Sequence, residues 1–302
     1  MKPVQARVRG WAIALLAIAT SCAPVSIASS DQSVSSSASS SAVPSPEKTR
    51  VSQATRSTAQ PRILWRGNFG RGWEQRWGVQ QRGGFGPQNR QVVSERNGTH
   101  PLFLRVRYPQ GSISPGTVNR YNVPLGGSQF FARLPSGPQE SLRLSYAVRF
   151  SSNFNFVRGG KLPGLYGGTG NTGGSVPNGT DGFSTRFMWR QHGDGEVYAY
   201  LPTSQNYGTS IGRGNWRFRT GVWHRIEQEV TLNTPGQANG RIRVWFNGRQ
   251  VLNQGGLTFR TVQDLKIDGI LFSTFFGGDD PSWATPRSVH ADFADFVVYS
   301  VP

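Results

Sequence analysis

The sequence has a single cysteine, Cys22, in 302 residues. An internal disulfide is therefore excluded, and the fold must be held by its core. Histidine is also scarce, and His100, His192, His224 and His290 show no ligand-like spacing, which argues against a transition-metal site. No segment keeps a helical hydrophobic period over three turns. Nucleophile-elbow, phosphate-loop and dinucleotide-binding motifs are missing as well, so we expect no cofactor and no metal.

Long hydrophobic runs are missing too, because the apolar run Trp11–Ile18 is shorter than the ~20 residues of a membrane span. Its basic start and the small residues after it predict that 1–30 is a secretory signal. Cys22 at its end resembles an imperfect lipoprotein box, so it is either lipidated or discarded. The Ser-rich stretch 31–60 is typical of a disordered linker. We expect a secreted or periplasmic domain over 61–302, membrane-anchored if Cys22 carries lipid.

Acidic residues are few, with 16 Asp and Glu against 33 Lys and Arg. Beyond residue 60 the balance is 27 basic to 14 acidic residues, a formal charge of +13. Such an excess concentrates anionic partners, and arginine binds carboxylates bidentately. Acidic polysaccharide and membrane lipid are the favoured partners, and export argues against nucleic acid. A solvated basic surface with no special partner is the alternative. Nothing indicates an oligomer, so a monomer is assumed.

The rest of the chain has a strand-like pattern. Short β-rich runs lie between Gly, Pro and Asn residues, the clearest being Leu102–Tyr108, Ser141–Phe150, Arg225–Leu232, Arg241–Phe246, Gly269–Phe276 and Phe293–Tyr299. Asn247-Gly248 predicts a hairpin turn. The pattern favours an all-β fold, an antiparallel β-sandwich of the jelly-roll type with a concave binding sheet. The Gly-rich stretch Gly159–Gly182 is predicted to be an irregular loop that begins near Lys161 and covers the site.

Two strands carry the chemistry. In Gly182–Arg190, Ser184 and Arg186 share one parity, and in Glu196–Pro202 the same holds for Tyr198 and Tyr200. Because side chains alternate across a strand, neighbouring strands would place all four on one sheet face. Cations beside phenols suit an acidic substrate and proton transfer. The alternative is that these are ordinary residues of an exposed strand face.

Uronic acid polymers can be cleaved without water. A cation neutralises the sugar carboxylate, so that the adjacent C5 proton becomes acidic. A base removes that proton, an acid protonates the departing O4, and a double bond forms. Arginine suits the first task and tyrosine either of the others, since a nearby cation lowers a phenol pKa.

The motifs GGKLPGL, GFSTRFMWR, YxY, LNTPGQANGRIRVWFNG and STFFGGDDPSWATP follow in order from about residue 63 to the end. Together they resemble polysaccharide lyase family 14, which includes alginate and polyglucuronate lyases with a β-jelly-roll fold. The family-20 glucuronan lyases are a close second. The resemblance implies a secreted lyase that cleaves alginate or glucuronan by β-elimination and leaves unsaturated uronate ends.

The resemblance also implies five catalytic residues: Lys161, Ser184, Arg186, Tyr198 and Tyr200. Arg186, helped by Lys161, would neutralise the carboxylate, and Tyr200 would abstract and donate protons. Tyr198 and Ser184 would position the sugar, and Lys161 as the base is an open alternative.

Substrate-binding roles are expected for Arg190, on the parity of Arg186, and for Trp283 in the loop 277–286. A solvated charge and a structural turn are the respective alternatives.

Three other functions stay open. A carbohydrate-binding lectin on the same sandwich would bind without turnover. A cell-surface adhesive protein would require lipidation of Cys22. Glu227 and Glu229 are spaced as a hydrolase carboxylate pair would be, although paired acids on a strand more often form an outer face.

Overall fold

The computed structural model describes residues 61–301. The predicted signal, Cys22 and the Ser-rich linker lie outside the described residues. Within them the chain forms fourteen strands and two one-turn helices, α1 (Trp73–Arg76) and α2 (Val118–Tyr121). The strands are β1 (Ile63–Gly67), β2 (Arg90–Ser94), β3 (Leu102–Tyr108), β4 (Ser128–Arg133), β5 (Ser141–Phe150), β6 (Gly159–Gly168), β7 (Gly182–Arg190), β8 (Gly195–Tyr200), β9 (Thr209–Ile211), β10 (Trp223–Thr231), β11 (Gly240–Phe246), β12 (Arg249–Leu257), β13 (Gly269–Phe276) and β14 (Val289–Ser300).

The strands form two antiparallel sheets that pack face to face. The eight-stranded sheet runs β12-β11-β10-β5-β14-β3-β2, with β1 paired to β14. The six-stranded sheet runs β4-β13-β6-β7-β8-β9. Neither sheet closes into a barrel, and the predicted antiparallel β-sandwich is confirmed. Among the described residues no helix is long or apolar enough to cross a bilayer.

The core lies between the sheets because each strand turns one parity inward. In β7, Phe183, Phe187 and Trp189 are fully buried there, and each contributes about 1.5–3 kcal/mol of burial free energy. Aromatic pairs link neighbouring strands, as where Phe130 stacks on Phe272 at a centroid distance of 4.6 Å. The opposite parity of the six-stranded sheet faces away from the core; we call this its outer face.

A bulge in β6 sets which residues reach the outer face. The register shifts between Leu162 and Gly164, so Leu162 and Leu165 both face the core although they are three residues apart. Lys161 therefore lies on the outer face. The Tyr146 hydroxyl of the other sheet donates to the Pro163 carbonyl at 3.0 Å, which satisfies a backbone group that the bulge removes from the ladder.

Several sequence predictions are confirmed. The strands Leu102–Tyr108, Ser141–Phe150 and Gly269–Phe276 have the predicted bounds. Asn247 and Gly248 connect β11 to β12 with φ of 50° and 81°, as a hairpin turn with two left-handed residues requires.

The prediction of an irregular loop over Gly159–Gly182 was wrong in its first part. Gly159–Gly168 is strand β6, paired on one side with β13 and on the other with β7. Glycine is favoured here by close backbone packing, because a Cβ on Gly164 would lie 2.2 Å from the Thr185 carbonyl oxygen. The irregular loop is confined to 169–181, and Lys161 lies on a central strand.

Glu227 and Glu229 lie on the exposed side of the eight-stranded sheet, since their neighbour Gln228 points into the core. Arg143 donates to Glu229 at 2.8 Å, and Arg243 also pairs with it. Both arginines lie against Trp245. These two acids belong to an arginine network on the exposed side of the eight-stranded sheet, which agrees with the alternative interpretation that paired acids on a strand form a solvent-facing side.

Candidate active site

The register of two strands assembles the centre of the site. Ser184 lies opposite Tyr200, and Arg186 opposite Tyr198, in the β7–β8 pair. All four side chains therefore point from the outer face. Lys161 on β6 joins them, and its Nζ lies 4.6 Å from the centroid of the Tyr198 ring. The five residues proposed as catalytic thus share one face of three adjacent strands.

Lys161 and Arg186 are cations in a poorly solvated place. Lys161 is 9% exposed, and Arg186 is 2% exposed. Burial lowers the pKa of Lys161 well below its usual value, and the charges of Arg186 and Arg190 lower it further. Burial also lowers the pKa of Arg186, to about 10. No carboxylate in the range 61–301 pairs directly with either group.

A neutral relay anchors Arg186. Its Nη1 donates to the Ser273 hydroxyl at 3.1 Å, and that hydroxyl donates to the Gln129 side chain at 2.8 Å. Its Nε is buried without an acceptor in the structure. A buried guanidinium with an unused donor is costly by itself, and a bound carboxylate would satisfy it.

The two tyrosines differ in their surroundings. Their rings meet edge to face at 5.8 Å. Burial, and then the nearby Tyr200, raises the pKa of Tyr198 to about 12 against the opposing effects of Arg190 and Arg186. The Tyr200 hydroxyl accepts a hydrogen bond from the Gly174 amide at 3.0 Å. The Gly174 amide therefore holds the Tyr200 hydroxyl in a fixed position on the outer face.

The 169–181 loop reaches this face at two points. Besides the Gly174 contact, the Ser184 hydroxyl donates to the Asn171 carbonyl at 2.6 Å. Asp181 holds the loop by accepting from the Asn171 side chain at 3.0 Å and from the Asn178 amide at 3.0 Å. The loop therefore covers the end of the site at Ser184 and Tyr200.

Arg190 lies on the outer face at the other end of β7, but its charge is shared. It pairs with Glu196 at 2.6 Å, and Arg213 pairs with the same carboxylate at 2.7 Å. Glu196 is fully buried and also accepts from Ser210. One carboxylate thus serves two arginines, which leaves this group with a net positive charge.

Trp283 lies close to Arg190 at the start of β6. A Cβ on Gly159 would lie 3.1 Å from Arg190 Cδ and 3.4 Å from the Trp283 ring. The guanidinium of Arg158 lies 5.2 Å from the centroid of that ring. Trp283 ends a short helical turn that the Asp280 side chain caps by accepting from the Ser282 amide at 2.8 Å. Its loop is therefore a capped turn that also borders the outer face.

Sequence reasoning missed Ser273 and Gln129. A partial signal was present, because Ser273 is a polar residue on the same parity as the apolar Leu271 and Phe275. Which strand lies beside Arg186 was not readable from that pattern. In the part of the chain that the structure describes, no cluster of three or more His, Cys, Asp or Glu side chains could hold a metal ion.

An antiparallel β-sandwich whose outer sheet face presents buried cations beside tyrosines is an arrangement suited to acidic polysaccharides. The polysaccharide lyase 14 family model matches residues 96–296. The chain belongs to polysaccharide lyase family 14, and it is a lyase that acts on polysaccharides. The predicted resemblance to this family is confirmed.

Two solved structures share the fold. The marine PL-14 alginate lyase from Aplysia kurodai is 30% identical, with a TM-score of 0.68 over 80% of this chain and 99% of that one. The endo-β-1,4-glucuronan lyase of the fungus Trichoderma reesei is 14% identical, with a TM-score of 0.53 over 79% of this chain and 96% of that one. At that identity the second likeness shows the fold alone.

A curated relative is Exolysin of Paramecium bursaria Chlorella virus 1. It is 27% identical over 195 residues, which cover 53% of this chain and 30% of that protein. The chain thus spans less than a third of the length of this relative.

Proposed function

We propose that the protein is a secreted lyase that cleaves an anionic polyuronate by β-elimination. One observation carries the proposal: Lys161 and Arg186 are buried on the outer face beside two tyrosines and have no carboxylate partner among the residues described. A substrate carboxylate would supply the missing anion and would accept from the unused Nε of Arg186. Charge neutralisation is what makes the neighbouring C–H bond acidic.

Each of the five residues has its own role in the proposed reaction. Arg186 and Lys161 bind the uronate carboxylate and stabilise the negative charge that develops as the C5 proton leaves. Tyr200 takes that proton, the C5–H electron pair forms the C4–C5 double bond, and the C4–O4 bond breaks. O4 then receives a proton from the same phenol. Tyr198, which stays protonated below about pH 12, and Ser184 position the sugar.

Lys161 is a second candidate base. Its lowered pKa makes a neutral amine available at lower pH than for an exposed lysine. In that case Arg186 alone neutralises the carboxylate, and Tyr200 serves only as the acid. The pH dependence of variants at the two positions separates these assignments.

The relatives point to the substrate class. The relative from Aplysia kurodai, 30% identical, is an alginate lyase, so alginate is the first polymer to test. Glucuronan is second, since the glucuronan lyase supports only the shared fold. Both are anionic polymers, in keeping with the formal charge of +17.

The test is the ultraviolet absorbance of unsaturated uronate ends during separate incubations with alginate, polymannuronate, polyguluronate and glucuronan. A rise on any of them establishes elimination and narrows the substrate. Tyr200→Phe should abolish the rise while the protein still binds the polymer. If the wild type binds a polymer but the absorbance does not rise, the non-catalytic lectin is favoured instead. If the wild type neither binds nor cleaves any of the four polymers, the proposal is overturned.

Export is part of the proposal and rests on the sequence of 1–30. Expression of the full chain in a Gram-negative bacterium, followed by fractionation, tests it. Recovery outside the cytoplasm supports export. A Cys22→Ala variant that moves from the membrane to the soluble fraction supports lipidation, whereas an unchanged distribution argues for a discarded signal.

A further inference from the structure

A cavity of about 620 Å³ opens beyond the outer face, at the end of the sandwich where β6 begins and β7 ends. Its volume is within the usual range of ligand pockets. Loops from three places meet there: 152–158, 191–192 and residue 287. Its polar lining consists chiefly of Arg158, Arg287, His192, Asn153, Asn155 and Gln191.

The cavity is positively charged. No acidic side chain is among its lining residues. Neither Arg158 nor Arg287 forms an ion pair within residues 61–301. Hydrogen bonds from Ser282, and then the charge of Arg158, lower the pKa of the nearby Asp280 carboxyl. Arg158 itself donates to the Ser282 hydroxyl at 2.6 Å. Its remaining donors and those of Arg287 have no carboxylate partner in the described range, and two such guanidinium groups in a pocket favour a carboxylate ligand.

The cavity lies next to the Arg190 end of the proposed active site, because its lining residues Gln191 and Arg158 are the chain neighbours of Arg190 and Gly159. Arg190 lies 5.7 Å from the centroid of the Tyr198 ring, and it borders Gly159 together with Trp283. The Arg158 guanidinium also lies against the Trp283 ring. Positive and aromatic groups are therefore present between Tyr198 and the cavity. Arg186 and Arg190 are four strand residues apart, about 13 Å, so the cavity lies beyond the reach of the sugar that reacts.

The backbone around the cavity is strained. Val157 has φ of 48° and His192 has φ of 62°. Left-handed φ is costly for a β-branched residue, and such strain clusters at ligand-binding sites. The Val157 amide is held by the Asn155 side chain at 2.9 Å. These contacts fix the wall that carries Arg158.

The opposite end of the site is covered by the 169–181 loop through its contacts with Ser184 and Tyr200. A polymer that extends along β7 away from this loop would pass Arg190 and reach the cavity. Resting on the proposed function, we propose that this cavity is a second uronate-binding site, in which Arg158 and Arg287 bind the carboxylate of a sugar several units from the cleaved bond.

The test uses the full chain and affinity for oligouronates of graded length. Dissociation constants for the trisaccharide and hexasaccharide of the preferred polymer are measured by calorimetry in a Tyr200→Phe background, which prevents turnover. In that background the hexasaccharide should bind more tightly. Arg158→Gln and Arg287→Gln should each weaken hexasaccharide binding about tenfold, as expected when one charge-assisted hydrogen bond is lost. The advantage of the longer oligomer should therefore shrink.

Arg249→Gln is the matched control, because Arg249 is exposed on β12 of the other sheet and likewise lacks an ion pair in the described range. It should leave both dissociation constants unchanged. Equal weakening of both oligomers by Arg158→Gln, or no weakening, would overturn the second site while leaving the lyase intact. If the wild type neither binds nor cleaves any polyuronate, the proposed function itself fails. Unchanged melting temperatures for the variants exclude a folding defect as the cause.

Discussion

The amine of Lys161 lies over the ring of Tyr198, 4.6 Å from its centroid. The ring face offers a lysine ammonium a weak attraction, while burial, and then repulsion by Arg186 and Arg190, disfavours the charged form and lowers its pKa. The aromatic contact is thus the local compensation for a lysine held among arginines. An anionic ligand reverses this balance, because it favours the charged amine.

Replacement of Lys161 by methionine should change the pH dependence of stability. The folded-state pKa of Lys161 is lowered, so between that pKa and the unfolded value of about 10.4 the unfolded state binds more protons. The free energy of unfolding of the wild type therefore rises with pH in this window. Lys161→Met removes that slope and should be most stabilised, relative to the wild type, below the window.

Urea denaturation at a series of pH values measures the effect. Lys266→Met is the control, since the Lys266 side chain is 37% exposed. Parallel wild-type and Lys161→Met profiles would contradict the lowered pKa. In activity assays Lys161→Met should lose about 10²–10⁴-fold in kcat/KM if Lys161 is the base.

Conservative replacement of the two tyrosines should give different kinetic results. Tyr200→Phe should reduce kcat about 10²–10⁴-fold with little change in substrate affinity, because it removes only the proton-transfer group. Tyr198→Phe should mainly raise KM, by roughly tenfold, if it removes one hydrogen bond to the sugar. Steady-state kinetics on the best polymer distinguish them. Equal losses in kcat for both variants would show that the phenols share the proton transfer.

Much of the site could be predicted from the sequence, because side chains alternate between the two faces of a strand and the position of a residue therefore determines its face. Ser184 and Arg186 share a parity, as do Tyr198 and Tyr200, and the structure places them on one face. The bulge at Pro163 was not readable, since it depends on pairing with two neighbouring strands and on the Tyr146 hydroxyl. Glycine density in Gly159–Gly182 indicated a loop, whereas close packing accounts for the glycine at position 164.

The sequence pattern also does not reveal which strands, distant in the chain, lie side by side in a sheet. Ser273 is nearly ninety residues from Arg186 in the chain, and only the sheet order β13-β6-β7 brings them together. The sequence shows that Arg190 is a cation on the parity of Arg186, but it does not show that Arg190 pairs with Glu196, six residues later. Local pattern thus gives the face of a side chain, and its partners depend on strand order.

Loosening of the 169–181 loop should follow from Asp181→Asn. Burial by itself raises the pKa of Asp181, but hydrogen bonds from Asn171 and from backbone amides outweigh this and lower it. The carboxylate therefore stabilises the loop above the unfolded pKa of about 3.9, and this stabilisation is lost as pH falls through the lower folded value. At neutral pH, amide exchange in 170–176 should be about fivefold faster in the variant, as for loss of one hydrogen bond.

Hydrogen–deuterium exchange with mass spectrometry checks this at neutral pH. Asp279→Asn is the control, since Asp279 is exposed and lies in a different loop, after β13. Equal exchange in the wild type and Asp181→Asn would show that the loop is held by its other contacts, among them the bond from Ser184 to Asn171.

The link between the sheets behind the site should be measurable as a coupling energy. The Gln228 amide donates to the Thr185 carbonyl at 2.7 Å, and the Thr185 hydroxyl donates to the Gln228 oxygen at 2.7 Å. Both residues are fully buried. Gln228→Leu leaves the Thr185 groups short of partners, so it should lower the free energy of unfolding by about 1–3 kcal/mol.

A double-mutant cycle with Thr185→Val isolates the pair. The double variant should lose less stability than the two single variants combined, by about 0.5–3 kcal/mol, because each single change already removes the bond from the Thr185 hydroxyl to the Gln228 oxygen. The bond from the Gln228 amide to the Thr185 backbone carbonyl is lost only when Gln228 is replaced. Denaturant titration of all four proteins gives the coupling. Additive losses would mean that the two side chains do not depend on each other. Thr185 lies between Ser184 and Arg186 on β7, so kcat/KM of the Gln228→Leu variant additionally measures whether this link between the sheets helps to position Arg186.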